Sequence, residues 1–236
     1  MTSLPADASA LLTPSERERH AAYPAQKRRD DWLLGRAAAK QALRELCLLL
    51  GRPEPDYLEL TIESAASGAP RVRGLDPEPA LSLTHGHGRA AAWARPTGRE
   101  GGLVGVDLER IKPRPEGTLR FYLHPHERAW LEALDPGQPK EVAPRDVAAI
   151  VCWALKEAAF KALQPPRGTG LLDVELEPAG DLTAPSGAAR VRYRGAAAAR
   201  ATLLGVGEVR GGWSTEGDLV TAWADAPGGV LPPLEE

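Results

Sequence analysis

The sequence predicts a mixed helix-and-strand fold in which two long helices each precede a set of short strands. Three observations carry this reading. The stretch Leu103–Arg110 alternates with a period of two, setting Val104, Val106 and Leu108 on one face and Gly105, Asp107 and Glu109 on the other. Two segments, one running from Leu33 to Leu50 and one from Asp146 to Leu163, repeat apolar residues at helical spacing. Finally, Thr221-Ala222-Trp223-Ala224 echoes Ala91-Ala92-Trp93-Ala94, a hint of duplication with a boundary near Gly101.

The totals fit a globular chain with a sizeable core: 236 residues, 43% hydrophobic and 26% charged. A net charge of -3 excludes a dominant basic footprint, so bulk nucleic-acid binding is not expected. Cys47 and Cys152 sit far apart in apolar helical patterns without a CxxC partner, which reads as two buried thiols in a reducing compartment. The start, Met1 to Asp7, has no charged lead into an apolar run, and no stretch approaches the ~20 apolar residues of a membrane span. A cytoplasmic protein without membrane partners is the expectation.

In chain order, Thr13-Pro14 marks a helix start followed by the charged run Ser15 to His20. Lys27-Arg28-Arg29 leads into the first long helix, whose apolar face is expected at Leu34, Ala38, Ala42 and Leu46 and which Gly51 and Pro53 stop. The basic cluster is either a solvated helix face or an anion contact joined by Arg36. Strands are expected at Tyr57 to Ile62, at Arg71 to Arg73 and at Ala80 to Thr84. The last runs into His85 in a Gly-rich turn, where hydroxyl, imidazole and backbone N–H groups together suit an anion. His87 is assigned no role. Arg89 to Ala94 returns as a strand anchored by Trp93.

Beyond the central strand, Ile111 to Pro115 is a Pro-broken loop. His124 and His126 precede a short helix, Glu127 to Leu134, and are read as local groups at its N-terminus, since no third nitrogen or sulfur ligand lies near. After a Pro-rich loop from Asp135 to Pro144, the second long helix buries Ala148, Cys152, Leu155, Ala159 and Ala162. Trp153, Glu157, Phe160 and Lys161 lie on an adjacent face, with Lys156 flanking it. Strands follow at Val174 to Leu176, Ala189 to Tyr193 and Leu219 to Ala224.

Asp107 and Glu109 share a face beside a residue without a side chain. Two such carboxylates repel when ionised, which makes sense if a cation sits between them; oxygen-only ligands suit Mg²⁺ completed by substrate phosphates. The competing reading is an edge strand with a solvated polar face. Glu157 and Lys161 are likewise either a surface i,i+4 pair or a third carboxylate and an ammonium over the Asp107/Glu109 face.

Gly105-Val106-Asp107-Leu108-Glu109-Arg110 followed by Trp153-Ala154-Leu155-Lys156-Glu157-Ala158-Ala159-Phe160-Lys161-Ala162 resembles the two signature motifs of the 4'-phosphopantetheinyl transferases, specifically the two-domain Sfp type. Leu81-Ser82-Leu83-Thr84-His85-Gly86 is similar to the third, weaker motif, and the basic lead into Leu33-Leu34-Gly35-Arg36 and the turn Gly168-Thr169-Gly170-Leu171 extend the likeness over most of the chain, from about Pro24 to Leu172. The resemblance implies an α+β fold of two similar halves with pseudo-twofold symmetry. Residues 1–101 would make coenzyme A and phosphate contacts, and residues 102–236 would carry the Mg²⁺ site and signature helix. It implies transfer of the phosphopantetheine arm of coenzyme A to a serine of an apo acyl or peptidyl carrier domain, releasing 3',5'-ADP, by a monomer.

By that resemblance Asp107, Glu109 and Glu157 hold Mg²⁺, Glu157 is the base for the carrier serine, directly or through a metal-bound water, and Lys161 neutralises charge on the α-phosphate and leaving group. Thr84 and His85 bind phosphate, His85 the 3'-phosphate. Lys27, Arg28, Arg29, Arg36 and Lys156 are further coenzyme A contacts. Two residues depart from the family pattern: Ala69 stands where a Gly-Lys-Pro lysine is usual, so that either Arg71 or Arg73 replaces it or the affinity is lower, and Gly86 removes a hydroxyl after His85. A Mg²⁺-dependent pyrophosphohydrolase would use the same carboxylates, and a silent coenzyme A or carrier-binding module would not need Asp107, Glu109, Glu157 and Lys161 together.

Overall fold

The first α-helix among the described residues, α1 (Pro14–Ala21), begins as its sequence dictates. Thr13 is extended, Pro14 occupies the first helical turn, and Thr13 and Glu16 form a reciprocal capping box. The structure, a computed structural model, describes residues 8–98, 101–134, 142–166 and 168–231. The Met1–Asp7 start, part of the turn after Gly98 and most of the loop expected from Asp135 lie outside the described residues.

Helix α2 (Gln26–Leu49) is followed by two antiparallel hairpins, β1 (Thr61–Ser64) with β2 (Pro70–Arg73) and β3 (Ala80–Gly86) with β4 (Arg89–Arg95). The second hairpin closes at His87-Gly88, both with positive φ (56° and 72°), the backbone that a two-residue turn matched to strand twist requires. Strand β5 (Gly102–Arg110) then leads through the short helices α3 (Glu116–Leu119) and α4 (Pro125–Glu132) to the second long helix, α5 (Pro144–Leu163). Two more hairpins follow: β6 (Val174–Pro178) with β7 (Ser186–Tyr193), and, after helix α6 (Gly195–Leu203), β8 (Val209–Glu216) with β9 (Leu219–Pro227). The fold is therefore α+β, and the order short helix, long helix, hairpin, hairpin occurs twice. The two echoed tryptophans fall at matching places, Trp93 on β4 and Trp223 on β9.

In the second half the hairpins join one antiparallel sheet in the order β5-β9-β8-β7-β6, across which α5 packs. Its core includes Leu103, Ile150, Leu155, Leu176, Val191, Trp213 and Val220, and a smaller first-half core gathers Ala39, Leu43, Leu60, Ile62, Val72 and Leu81.

β5 is the terminal strand of its sheet, as the edge-strand reading of residues 103–110 has it, but the solvated polar face of that reading is overturned. β5 is buried from Gly102 to Leu108, because α5 covers one face and β3 covers the edge that β9 does not pair. The Val106 N–H donates across that edge to Ser82 Oγ at 3.0 Å. Along α2 the buried stripe is Trp32, Gly35, Ala39, Leu43 and Leu46, one position C-terminal of most of the expected one. The cause is Gly35, where a Cβ would stand 2.8 Å from His85 Cδ2, so the helix turns its bare position toward β3. Three elements, α3, α6 and β8, are not predicted by the sequence patterns; β8 carries Gly211-Gly212 at its centre, where a Cβ on Gly212 would lie 2.3 Å from the Trp223 ring.

One polar arrangement occurs in both halves. In the first, Lys40 of α2 donates to Glu16 Oε2 (2.6 Å) and to the Tyr57 carbonyl (2.9 Å), while Glu16 accepts from the N–H groups of Thr13 (3.0 Å) and Ile62 (2.9 Å). In the second, Lys156 of α5 pairs with Glu127 Oε2 (2.6 Å) and donates to the Val174 carbonyl (2.6 Å), while Glu127 accepts from His124 N–H (2.8 Å) and Leu176 N–H (2.9 Å). Thr13-Pro14-Ser15-Glu16-Arg17 and His124-Pro125-His126-Glu127-Arg128 supply the two glutamates from equivalent capping boxes. Both lysines are fully buried, and each ties its long helix to its short helix and to the following hairpin.

Candidate functional site

The acidic site forms where α5 crosses β5. A Cβ on Gly105 would stand 1.7 Å from the Ala158 carbonyl oxygen and 2.8 Å from Ala162 N, so the missing side chain lets strand and helix backbones touch. Small residues on the helix, Ala154, Ala158 and Ala162, complete the fit. The half-buried residues of α5 from 153 to 161 are Trp153, Glu157, Phe160 and Lys161, the face the sequence set apart.

Asp107, 6% exposed, is the centre of the constellation. Its Oδ1 accepts from Lys161 Nζ at 2.7 Å and, at 3.4 Å, from Thr84 Oγ1 on β3. Lys161 also donates to the Val106 carbonyl at 3.2 Å. The second oxygen, Asp107 Oδ2, is buried without a hydrogen-bond partner. Burial, and then the charge of Asp107, hold the Glu157 carboxyl above its ordinary pKa; Lys161 opposes this and Glu109 adds to it. Glu109 is held by two donors: Trp153 Nε1 at 3.1 Å on Oε1 and Arg114 Nη2 at 3.3 Å on Oε2. Among the described residues no three His, Cys, Asp or Glu side chains already converge as a metal would need.

A metal nevertheless fits the donors. Asp107 Oδ2 is an orphaned hard oxygen, and a cation beside it would offset the Asp107 charge that adds to burial in raising Glu157. Asp107 and Glu157 could hold it, and Glu109 would join by exchanging the Arg114 contact.

His85 lies among charges of both signs, Asp31 against Arg28, Arg36 and Lys161, and Arg36 is itself buried and paired with Glu16 at 3.9 Å. Burial pulls the His85 imidazole below the usual pKa, Asp31 opposes, and Arg28, Arg36 and Lys161 push further down. The ring is therefore neutral at pH 7, with a donor to offer an anion. Arg36 stacks over Trp32 (4.4 Å to the ring centroid), and its Nε is buried without a hydrogen bond. Burial lowers it to about 10, against Glu16, so it stays cationic. Arg28 lies 5.5 Å over the Tyr23 ring.

Two expected contacts, Lys156 and Arg29, are committed elsewhere, and a third, Lys27, is engaged by a neighbour on its own helix. Lys156, read as a coenzyme A contact, is fully buried and committed to Glu127 and the Val174 carbonyl, so its ammonium faces the interior. Arg29 donates to the Tyr23 carbonyl and to Gln26 Oε1, closing the start of its own helix. Lys27 is exposed and paired with Asp31 at 2.6 Å. Of the two arginines offered in place of the missing lysine, Arg71 is gripped by Glu78 through Nε (2.9 Å) and Nη2 (2.6 Å), and Arg73 pairs with Glu63 at 3.1 Å. The histidine pair behaves as read from sequence: His124 caps α4, and His126 stacks on it and meets Glu175 at 3.3 Å. Arg114 and Ser82 belong to the site and were not singled out. Arg114 had a signal in Pro113 and Pro115, which pin its backbone.

A profile of the 4'-phosphopantetheinyl transferase superfamily matches residues 103–222, the span from β5 into β9. Over 232 residues the chain is 33% identical to 4'-phosphopantetheinyl transferase Svp of Streptomyces mobaraensis, covering 97% of this chain and 85% of that protein. Among solved structures, a Plasmodium yoelii acyl carrier protein synthase with ADP bound aligns with 52% of this chain and 93% of its own at 20% identity and a TM-score of 0.44. The Helicobacter pylori holo-[acyl-carrier-protein] synthase in complex with coenzyme A aligns with 52% of this chain and 99% of its own, at 16% identity and a TM-score of 0.40.

Proposed function

The chain belongs to the 4'-phosphopantetheinyl transferase superfamily, and from that premise we propose that it transfers the 4'-phosphopantetheine arm of coenzyme A to a serine of an apo acyl or peptidyl carrier domain, releasing 3',5'-ADP. The observation that supports the reading best is the buried Asp107 with one oxygen on Lys161 and the other unpartnered, beside a Glu157 whose pKa is raised. The half up to residue 101 supplies the anion contacts, His85, Thr84, Arg36 and Arg28; the half from 102 supplies the acidic site. The protein is read as a cytoplasmic monomer acting on fatty-acid, polyketide or nonribosomal-peptide carriers.

In the transfer, the serine Oγ bonds to the phosphorus that bears the pantetheine arm. The bond from that phosphorus to the bridging oxygen breaks, and 3',5'-ADP takes the electron pair. A Mg²⁺ held by Asp107, Glu157 and Glu109 would neutralise pyrophosphate charge, which otherwise repels the nucleophile. Glu157 takes the serine proton on a carboxylate oxygen. Lys161 directs its ammonium at the charge developing on the leaving phosphate while still touching Asp107. Neutral His85 donates to a coenzyme A phosphate, with Thr84 adjacent on the same strand.

The test incubates the protein with an apo carrier domain, coenzyme A and Mg²⁺, and weighs the carrier by intact-mass spectrometry. A phosphopantetheine-sized gain, lost with EDTA and reduced by at least about 100-fold in rate by Glu157→Gln, is expected. Coenzyme A consumed without a carrier would favour the pyrophosphohydrolase, and binding without any transfer across several carriers would favour a silent module.

A further inference from the structure

Each carboxylate of the acidic site except Glu157 has an internal cation: Lys161 on Asp107 and Arg114 on Glu109. The second pair is built with some care. Arg114 lies between Pro113 and Pro115, the first fixing the chain before it and the second confining Arg114 itself to an extended backbone. Its side chain is 18% exposed, its guanidinium sits 5.2 Å from the centroid of the Trp153 ring, and its Nε is buried without a partner. Trp153 in turn donates its indole N–H to the other oxygen of Glu109. Arginine, indole and carboxylate therefore form a closed triangle of ion pair, hydrogen bond and cation–π contact.

We propose that Arg114 is a positioning residue that latches Glu109 against Trp153 and competes with the divalent cation for that carboxylate, so that it weakens metal binding to the unliganded protein. The inference rests on the metal-dependent reading above. Both Glu109 oxygens have donors, which is why Asp107 and Glu157 alone are left with open coordination, and why no three acidic groups converge. A cation that takes Glu109 as a ligand must break the Arg114 contact, and one held by Asp107 and Glu157 alone still meets the electrostatic repulsion of a guanidinium one side chain away. In exchange, the latch neutralises one of three neighbouring carboxylates while the site is empty, limiting their mutual repulsion. Metal binding and latch release are thus linked, and whatever draws Arg114 away from Glu109 tightens the metal.

The experiment titrates Mn²⁺ as the probe into full-length protein and follows the free-ion signal by electron paramagnetic resonance, with calorimetry as a second readout. Wild type is compared with Arg114→Met, which keeps most of the stem packing on Trp153, and with Trp153→Phe, which keeps a ring but deletes the N–H donor; circular dichroism confirms that each is folded. Both variants should bind Mn²⁺ about three- to tenfold more tightly than wild type, the range expected for losing one partly exposed, charge-assisted contact. Unchanged or weaker binding in folded Arg114→Met would overturn the latch and make Arg114 a residue that organises Glu109 for the metal. If wild type transfers phosphopantetheine but Glu157→Gln binds Mn²⁺ as well as wild type does, the latch can stand while the ligand assignment fails. If wild type binds no Mn²⁺ and is inactive, both readings fall together.

Discussion

Replacing Lys156 by methionine separates a structural lysine from a substrate-binding one. Its ammonium and the Glu127 carboxylate are both fully buried and 2.6 Å apart, and the lysine also donates to the Val174 carbonyl at 2.6 Å. Methionine fills nearly the same volume, so the change removes charge and hydrogen bonds with little cavity. It leaves Glu127 as an uncompensated buried anion whose remaining donors are the His124 and Leu176 N–H groups. Breaking a buried pair in this way costs about 3–5 kcal/mol. For a chain of this size each kcal/mol moves the melting temperature by about 2–4 °C, so the variant should melt about 6–20 °C lower. Adding Glu127→Gln removes the stranded charge but keeps an acceptor for only one of the two N–H groups, which meet different carboxylate oxygens, so it should recover part of the loss. Thermal melts and urea titrations read the stability; the KM for coenzyme A, measured well below the melting point, reads the binding. An unchanged melting temperature with a KM raised about tenfold would refute the argument and return Lys156 to the cofactor site.

Gly105→Ala should lower the melting temperature sharply and abolish activity, because the added Cβ meets the backbone of α5 rather than a movable side chain; overpacking of this kind costs about 1–3 kcal/mol or more. Melts with and without coenzyme A check it, and a stable, active variant would show that the helix can slide. Acid stability has a group to watch in Glu78. Burial would raise its pKa from the usual 4.5, but the Arg71 fork and the Val72 N–H outweigh it, and the carboxyl titrates lower when folded. Its stabilisation is present above the unfolded pKa and is lost as pH falls through the folded one. Glu78→Gln should therefore be less stable near neutrality and show a flatter decline in melting temperature between about pH 5 and pH 3. At the anion site, His85→Ala should raise the KM for coenzyme A more than it lowers kcat, whereas Lys27→Ala should leave both within about twofold, since Lys27 is exposed and paired only with Asp31.

The acidic site was legible because its geometry is periodic. Gly105 and Asp107 share a strand face, and Glu157 and Lys161 share a helix face. Each pairing follows from a repeat length that needs no tertiary information. What surrounds those faces was not legible. Period-two alternation on β5 fits a half-solvated strand as well as a covered one, and only the docking of β3 and α5 decides between them. Lys156 sits one residue from Glu157, yet a helix turns ~100° per residue, which is enough to carry one ammonium into the core while its neighbour faces the cleft. Along α2 the buried stripe is displaced because Gly35 admits the His85 ring, a contact whose two members are 50 positions apart. Strand β8 was missed for a similar reason: glycine weakens a strand's intrinsic signal, and here the space it leaves is taken by Trp223 from the adjacent strand. Glu16 and Glu127, by contrast, could have been found, since each is the fourth residue of a capping box opened by Pro at the first helical position.

Using one Glu–Lys arrangement twice creates a problem of self-recognition while the chain is still folding. Lys40 would be as well satisfied by Glu127 as by Glu16, and Lys156 by Glu16 as by Glu127, and either exchange would dock a helix on the wrong half. Sequence distance provides discrimination. The native partners are 24 (16 to 40) and 29 (127 to 156) residues apart, the crossed ones 87 (40 to 127) and 140 (16 to 156). Closing the longer loops costs about 1.1 to 1.4 kcal/mol more for each crossed pair, which favours the correct partners by roughly six- to tenfold before any packing is formed. The same argument sets a condition on engineering this chain: a circular permutation that opens the 16-to-40 or the 127-to-156 segment would surrender that advantage, whereas one opened between the halves, near Gly98, would keep both.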